Sequence, residues 1–340
     1  MGIIAEKNEV SNIKIQTGTG EILLDVAENG RERPWKQHKM GNEKIAELFQ
    51  KALIVEPTII TNKGLERLAD CASTVVFARD SEQKLRLERA NFCRARLCPM
   101  CNWRKSLKLF SQMSKISAVF LAQRQSARFL FVTLTVPNCT ADDLGKTINS
   151  MNKAFAYLTS PNQTFAPAKK FKANLLGYMR AIEVTYNQQS DSYHPHIHCL
   201  FGVGVKYFTS GYIKKSEWQH IWTKAIKSDM ELIVHVETVK NTTAKAVAEI
   251  AKYPTKSTDL FKIKDEKQCI AALIVLQKTL KNRRLTTFGG EFLKIKQQLG
   301  LDDVDSDGAD LIHVDDESET FQPIERVLYK WHTRVGAYIC

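Results

Sequence analysis

The chain has 340 residues, 44% of them hydrophobic, enough to bury a real core in two domains or in one domain with extensions. Its formal net charge is +12, from 49 Lys and Arg against 37 Asp and Glu, a balance that favours nucleic acid over other partners. No apolar run approaches the ~20 residues that span a bilayer, so no membrane partner is expected. The start, Met1-Gly2-Ile3-Ile4, lacks the basic-then-apolar layout of a secretory signal, and the expected location is the cytoplasm. In that reducing compartment the eight cysteines read as ligands or buried thiols rather than disulfides.

Residues 1–60 read as an N-terminal extension with one helix. The helix runs from Asn42, a cap candidate, to Leu53, with Ile45, Leu48, Phe49 and Ala52 at helical spacing. Residues 61–110 hold the cysteine cluster. Cys93, Cys98 and Cys101 contain the tight Cys98-Pro-Met-Cys101 knuckle of zinc ribbons, in which two thiolates bind from one turn, and Cys71 is the candidate fourth ligand. A structural Zn²⁺ is expected there. Arg94, Arg96, Arg104 and Lys105, with Trp103 interleaved, combine phosphate-binding charge with a stacking ring and are the candidate DNA contacts. An amphipathic helix follows over Leu107 to Leu121.

Residues 111–290 read as the main folded domain. Arg128 to Val136 is a buried strand ended by Pro137-Asn138, and Asp142 to Leu158 is helical. Gly145-Lys146-Thr147 resembles the end of a phosphate-binding loop, but Thr140 stands where that loop needs glycine. No ATPase motif is found. Tyr178 to Tyr186 is a second strand, Asn187 to Ser192 a hairpin loop, and Tyr193-His194-Pro195-His196-Ile197-His198-Cys199-Leu200 returns from it.

Strand side chains alternate, so His196 and His198 share a face, ~7 Å apart along the strand, and can share one divalent ion. Glu183 on the neighbouring strand is a third ligand or an exposed strand residue, depending on register. Two imidazoles and a carboxylate leave positions open for phosphate and water, and Mg²⁺ or Mn²⁺ suits an oxygen-rich substrate.

Helices are expected over Lys215 to Ile226, Thr243 to Tyr253 and Glu266 to Leu280, with a strand at Leu232 to Val236. Glu249 and Tyr253 fall four apart on one helix face. A phenol ionises near pH 10 and needs help to attack at neutral pH, from a polarised phosphate or from Lys252 or Lys256. Pro254 places the tyrosine in the helix's last turn. Residues 291–340 form an acidic segment and tail. Nine acids and no Lys or Arg fall within 301–319, read as a solvated loop.

Four segments occur in one order: Ala90 to Arg104 with its cysteines, Phe131-Val-Thr-Leu-Thr-Val-Pro-Asn138, His194-Pro-His-Ile-His198, and Glu249-Ile-Ala-Lys-Tyr253. In these, from about Cys71 to Asp310, the chain resembles the replication initiator (Rep) proteins of small rolling-circle plasmids, within the HUH endonuclease superfamily. The tyrosine follows the histidines, as in initiators rather than conjugative relaxases. The resemblance implies an α+β fold: a central antiparallel sheet of about five strands flanked by helices, with the histidines on a middle strand and an N-terminal zinc-ribbon-like region. It implies that Tyr253 nicks DNA through a 5′-phosphotyrosyl intermediate, and that Glu249 replaces a second tyrosine for hydrolytic termination. His196 and His198, with Glu183, would bind the catalytic metal. The implied partners are origin DNA, single-stranded or as a hairpin, and a host helicase and DNA polymerase; a homodimer stays open. Two other readings use parts of the pattern: an HUH-type transposase or single-strand transferase, and a non-catalytic zinc-ribbon DNA-binding regulator. The regulator leaves the histidine pair and the Glu249–Tyr253 pair unexplained.

Overall fold

The computed structural model describes residues 15–27, 29–162, 164–239, 247–248, 250–251, 257–314 and 321–340. In chain order the first elements are β1 (Ile15–Gln16), α1 (Trp35–Val55), α2 (Asn62–Ala69), β2 (Thr74–Arg79), β3 (Leu85–Ala90) and α3 (Pro99–Gln123). Next come β4 (Arg128–Thr135), α4 (Leu144–Thr159), α5 (Ala166–Asn174), β5 (Leu175–Asn187), β6 (Ser192–Val203), α6 (Lys215–Ile226) and β7 (Val234–Thr238). The last are α7 (Glu266–Leu280), β8 (Thr286–Gly290), α8 (Glu291–Gln298), β9 (Glu325–His332) and β10 (Ala337–Ile339). The chain divides into two compact units, residues 1–108 with 310–340, and residues 109–309.

The second unit is built on a five-stranded sheet in the order β7-β4-β6-β5-β8, antiparallel throughout. This is the expected α+β sheet, with the histidine strand β6 at its centre. β5 and β6 form one long hairpin, turned by Asn187, whose Oδ1 accepts from Gln189 N–H at 3.0 Å, and by Asp191 in the left-handed region at φ 43°.

One face of β6 changes character along its length. His194, His196 and His198 occupy one end and Leu200 the middle, and Gly202 ends the row. A Cβ at Gly202 would lie 2.7 Å from Phe120, so glycine there lets the aromatic rings of Phe120 and Phe292 close on the sheet. Met113, Ile116 and Phe120 of α3, Phe292 of α8, and Val247, Ile250 and Ala251 bury the apolar half of this face. The side chains that fill the core follow the two periods, 3.6 on the helices and 2 on the strands.

The first unit carries a second sheet that the sequence reading lacked. β2 pairs with β3 and with β9, both antiparallel; β1 lies parallel to β9 and β10 pairs with its other end. Ion pairs tie the distant segments together: Arg79 to Glu325 at 2.7 Å and Arg326 to Glu88 at 2.6 Å.

Two local expectations change. Asn42 does not cap a helix; α1 begins at Trp35, after Pro34, and Asn42 is buried within it. The acidic run is not simply solvated: Asp305 accepts from the N–H groups of Leu285 and Thr286 at 3.0 and 2.8 Å, and Asp303 pairs with Arg284. Asp315, Asp316, Glu317 and Glu319 lie outside the described residues. Gly145-Lys146-Thr147 sits within α4, in keeping with the helix expected over Asp142 to Leu158 and with the dismissal of a phosphate-binding loop there.

Candidate metal centres

The β5–β6 register sets Glu183 directly opposite His196 and Ala181 opposite His198. The Glu183 carboxylate therefore turns to the histidine face. Its Oε2 lies 3.2 Å from His196 Nε2 and 3.1 Å from His198 Nε2. One ligand atom from each of the three residues falls within 4.8 Å of the others. Glu183 is 5% exposed and His196 9%, so the carboxylate is held out of water by the imidazoles and the sheet. A buried carboxylate facing two imidazole nitrogens is a donor set that fits a divalent cation, and three protein donors leave room for further oxygen ligands.

Neighbouring groups fix the rings. His198 is 5.6 Å from the Phe131 ring, near-parallel at 23°, and its Nδ1 is 3.1 Å from Thr133 Oγ1 on β4. His194 Nδ1 is 2.9 Å from Asn138 Oδ1, and burial, followed by the neighbouring His196, holds His194 below its ordinary imidazole range. Thr133 and Asn138 both belong to the Phe131–Asn138 segment. The sequence offered that segment as a strand and a motif, and the cross-strand pairing supplies its link to the histidines.

The four cysteines Cys71, Cys93, Cys98 and Cys101 come together in the first unit. Cys71–Cys101 and Cys71–Cys98 sulfur separations are 3.6 Å, and Cys93–Cys101 is 3.7 Å. Tetrahedral zinc with Zn–S bonds of about 2.3 Å spaces sulfurs by roughly 3.8 Å, so the cage fits zinc. A disulfide needs about 2.0 Å. Backbone N–H groups point at the sulfurs: Cys93 N to Cys71 Sγ at 3.3 Å, and Arg94 N to Cys101 Sγ at 3.2 Å. Arg94 takes the left-handed conformation, φ 62°, to make its contact, and Ala72 after Cys71 does likewise at φ 51°. Such strain costs about 1–2 kcal/mol at a non-glycine residue and persists where surrounding contacts fix it.

Crowding sets the thiols apart. Burial pushes Cys98 up, but hydrogen bonds from the thiols of Cys101, Cys71 and Cys93 outweigh it and hold Cys98 well below the ordinary thiol range. Hydrogen bonding with Cys101 leads the causes that push Cys71 and Cys93 well up.

Two residues of α1, Asn42, read from the sequence only as a helix cap, and Lys39, which no motif marks, complete this site. Asn42 Nδ2 donates to Cys98 Sγ at 3.5 Å and to Leu68 O at 2.8 Å. Lys39 is 2% exposed, and its ammonium donates to the carbonyls of Cys71 and Ala69 at 2.8 and 3.1 Å. Burial lowers the Lys39 pKa, and Cys71, Glu43 and Cys98 pull it back up. A zinc ion bearing four thiolates carries a net −2, and a buried ammonium beside it offsets part of that charge.

The candidate DNA contacts divide. Arg94 and Arg96 are half-buried. Trp103 stacks on His38, ring centroids 4.8 Å apart at 11°. Arg104 and Lys105 leave the DNA-facing set, because both are only 3% exposed. Helix phase is the reason: Cys101, Arg104, Lys105 and Lys108 fall at i, i+3, i+4 and i+7 on the inward stripe of α3. Arg104 donates instead to the carbonyls of Leu311 and Ile312, at 2.9 and 2.7 Å. Glu249, Lys252, Tyr253 and Lys256 lie outside the described residues, while Val247, Ile250 and Ala251 beside them in sequence are buried on the histidine face of the sheet.

A family model described as replication protein matches residues 84–339. The Protein rep of Lactiplantibacillus plantarum is 37% identical over 324 residues, covering 92% of this chain and 96% of that protein. The Protein rep of Streptococcus pneumoniae serotype 2 is 34% identical over 324 residues, 94% of this chain and 95% of its own. A Staphylococcus aureus replication protein is 34% identical over 230 residues, 65% of this chain and 94% of its own. No solved structure matches the chain. No helix among the described residues is long and apolar enough to cross a membrane.

Proposed function

The chain belongs to the Rep family of plasmid replication initiators, and on that premise we propose that it opens rolling-circle replication by nicking one strand of origin DNA with Tyr253. The observation that carries this reading is the convergence of His196 and His198 Nε2 on one Glu183 oxygen at the centre of the sheet, on the face whose apolar part packs Val247, Ile250 and Ala251. Glu183, His196 and His198 would hold Mg²⁺ or Mn²⁺, which supplies Lewis-acid polarisation of the scissile phosphate when bound. The Cys71, Cys93, Cys98 and Cys101 cage would hold Zn²⁺ as a structural ion.

The Tyr253 oxygen attacks phosphorus and forms the 5′-phosphotyrosyl bond. The P–O3′ bond breaks, the phenol proton passes to solvent, and the departing 3′ oxygen takes one up as a hydroxyl. That hydroxyl primes a host polymerase, while a host helicase separates the strands. After one round Glu249 takes a proton from a water that attacks the regenerated junction, whose P–O3′ bond breaks to leave a 5′-phosphate and a 3′-hydroxyl. That hydroxyl attacks the 5′-phosphotyrosyl phosphorus, the bond to the Tyr253 oxygen breaks, the phenol takes up a proton and the strand closes. Arg94, Arg96, Trp103, Lys252 and Lys256 contact the DNA backbone and bases.

The test is a denaturing gel of wild type and Tyr253→Phe with Mn²⁺ and single-stranded origin oligonucleotides labelled at the 3′ end. Label at protein size in wild type alone is the expected result. Equal adduct from the variant would remove Tyr253 from the chemistry. Tight DNA binding with no adduct from either protein would favour a zinc-ribbon regulator.

A further inference from the structure

β7 is an edge strand of the second sheet, and a cleft of about 270 Å³ opens beside it against the 205–213 segment and α6. Its lining is aromatic with a polar rim: Tyr207, Tyr212 and Trp218, then Lys215, His235 and Thr238. Tyr207 is 1% exposed, and its hydroxyl accepts from Trp218 Nε1 at 3.1 Å, so these two rings make a rigid floor. Tyr212 stands at the mouth, 53% exposed, with its ring 6.1 Å from that of Tyr207 at 66°. An aromatic side chain left this open beside a buried pair offers a π-face to a ligand.

Charge and position narrow the ligand. Lys206, Lys214 and Lys215 are exposed around the cleft, as is Lys169 on the neighbouring α5, where Lys172 is half-buried. The acids beside them, Glu217 and Glu237, are engaged: Glu217 Oε2 accepts from Lys214 N–H at 2.7 Å and its Oε1 lies 3.9 Å from Lys170, and Glu237 Oε1 lies 2.8 Å from His235 Nε2. Across the sheet, His235 pairs in register with Thr133, and Thr133 with His198. Leu130, Val236 and Thr238 alternate with that row and turn the cleft's floor to the opposite face of the sheet, so His235, two strand spacings or about 10 Å from the histidine centre, marks the β7 edge that a single DNA strand would round to touch both.

We propose that this cleft binds one unpaired nucleobase of the DNA strand, stacked on Tyr212, while Lys214 and Lys215 hold the adjoining phosphates. The choice of DNA as ligand rests on the replication-initiator reading. Stacking is sequence-tolerant because every base has a π-face, and lysines supply the salt-dependent term. The cleft would hold the strand where it rounds the β7 edge from the histidine centre, a role separate from that of the first unit's arginines.

The test uses the full chain, without added Mg²⁺ or Mn²⁺, and a fluorescent oligothymidylate about 15 nucleotides long, compared by anisotropy with the same backbone lacking bases. Tyr212→Ala should weaken the oligothymidylate about tenfold and leave the abasic backbone unchanged, and Tyr212→Trp should keep wild-type affinity. Lys214→Gln with Lys215→Gln should weaken both ligands and lower the salt slope by roughly 0.7 per lysine. Equal effects of Tyr212→Ala on the two ligands, no effect on either, or loss in the Trp variant as well, overturns the base pocket. Because no strand is cut, a protein that never nicks still reports on the cleft. Conversely, normal adduct formation together with an indifferent Tyr212→Ala sinks the cleft alone.

Discussion

The cysteine cage of the first unit and the Glu183–His196–His198 group of the second use opposite designs. The cage takes ligands from three places, Cys71 and Cys93 at the open end of the β2–β3 hairpin and Cys98 with Cys101 at the start of α3, so closing it ties that hairpin to a separate helix. Its four donors are soft thiolates and complete a tetrahedron. The histidine group takes all three donors from one hairpin whose register already exists in the sheet. Its donors are imidazole and carboxylate, and they leave the ion incomplete. A site that assembles its own scaffold belongs to folding, and a site laid on a finished scaffold is free for chemistry.

Breaking each site therefore gives different outcomes. Cys98→Ser should cost the most, because the zinc binding that holds a small metal domain together is worth on the order of 10 kcal/mol. Zinc content by atomic emission should fall to background, and the first unit should lose protection in hydrogen exchange. A Cys98→Ser protein that keeps both would reduce the cage to a passive thiol cluster. His198→Ala should leave thermal unfolding within a few degrees of wild type and lower nicking by roughly 1000-fold, the scale of several kcal/mol of metal assistance. Unfolding of the second unit by this single change would erase the contrast between the sites.

A smaller effect tests how dry the cage's surroundings are. Burial brings His38 down to about 4 from its ordinary 6.5, against the upward pull of Cys98. The unfolded chain takes up a proton near pH 6.5 and the folded chain does not until about 4, so the unfolded state binds more protons in that window. Stability present above pH 6.5 is lost as pH falls toward 4, by up to about 3 kcal/mol from this residue. His38→Phe, which keeps a ring on Trp103, should flatten that part of a urea-unfolding profile. A wild-type and variant pair with parallel profiles would show that water reaches the ring.

Much of the second unit was legible because its signals are local. The 3.6-residue period gives α6 and α7 their observed limits, and the two-residue period puts His196 and His198 on one face. Register was not legible. Whether Glu183 faces the histidines depends on pairing across a turn, and one residue of slip would send it to the other face. The first unit's sheet stayed hidden because β2 pairs with β9, some 250 residues away, and the strands β1 and β10 are two and three residues long. Arg104 and Lys105 were read by charge, when the phase of α3 relative to Cys101 decided that they turn inward. Lys39 and Asn42 carry no motif; only the fold of α1 over the cage brings them to it.

Thr133 gives the finest test of the open site. When His198 Nε2 serves as a ligand, Nδ1 must carry the ring proton, and Thr133 Oγ1 at 3.1 Å is placed to accept it. Phe131 fixes the plane of the ring but cannot choose its tautomer, so the hydroxyl supplies what stacking lacks. Thr133→Val keeps the shape and removes the acceptor. It should weaken Mn²⁺ binding by about 10- to 100-fold in calorimetric titration, with nicking recovered at high Mn²⁺. Thr133→Ser should restore wild-type affinity. Because β4 keeps its backbone bonds to β6 in every variant, a change confined to metal affinity isolates the hydroxyl. Unchanged Mn²⁺ affinity in Thr133→Val would mean that the hairpin alone orients the histidines.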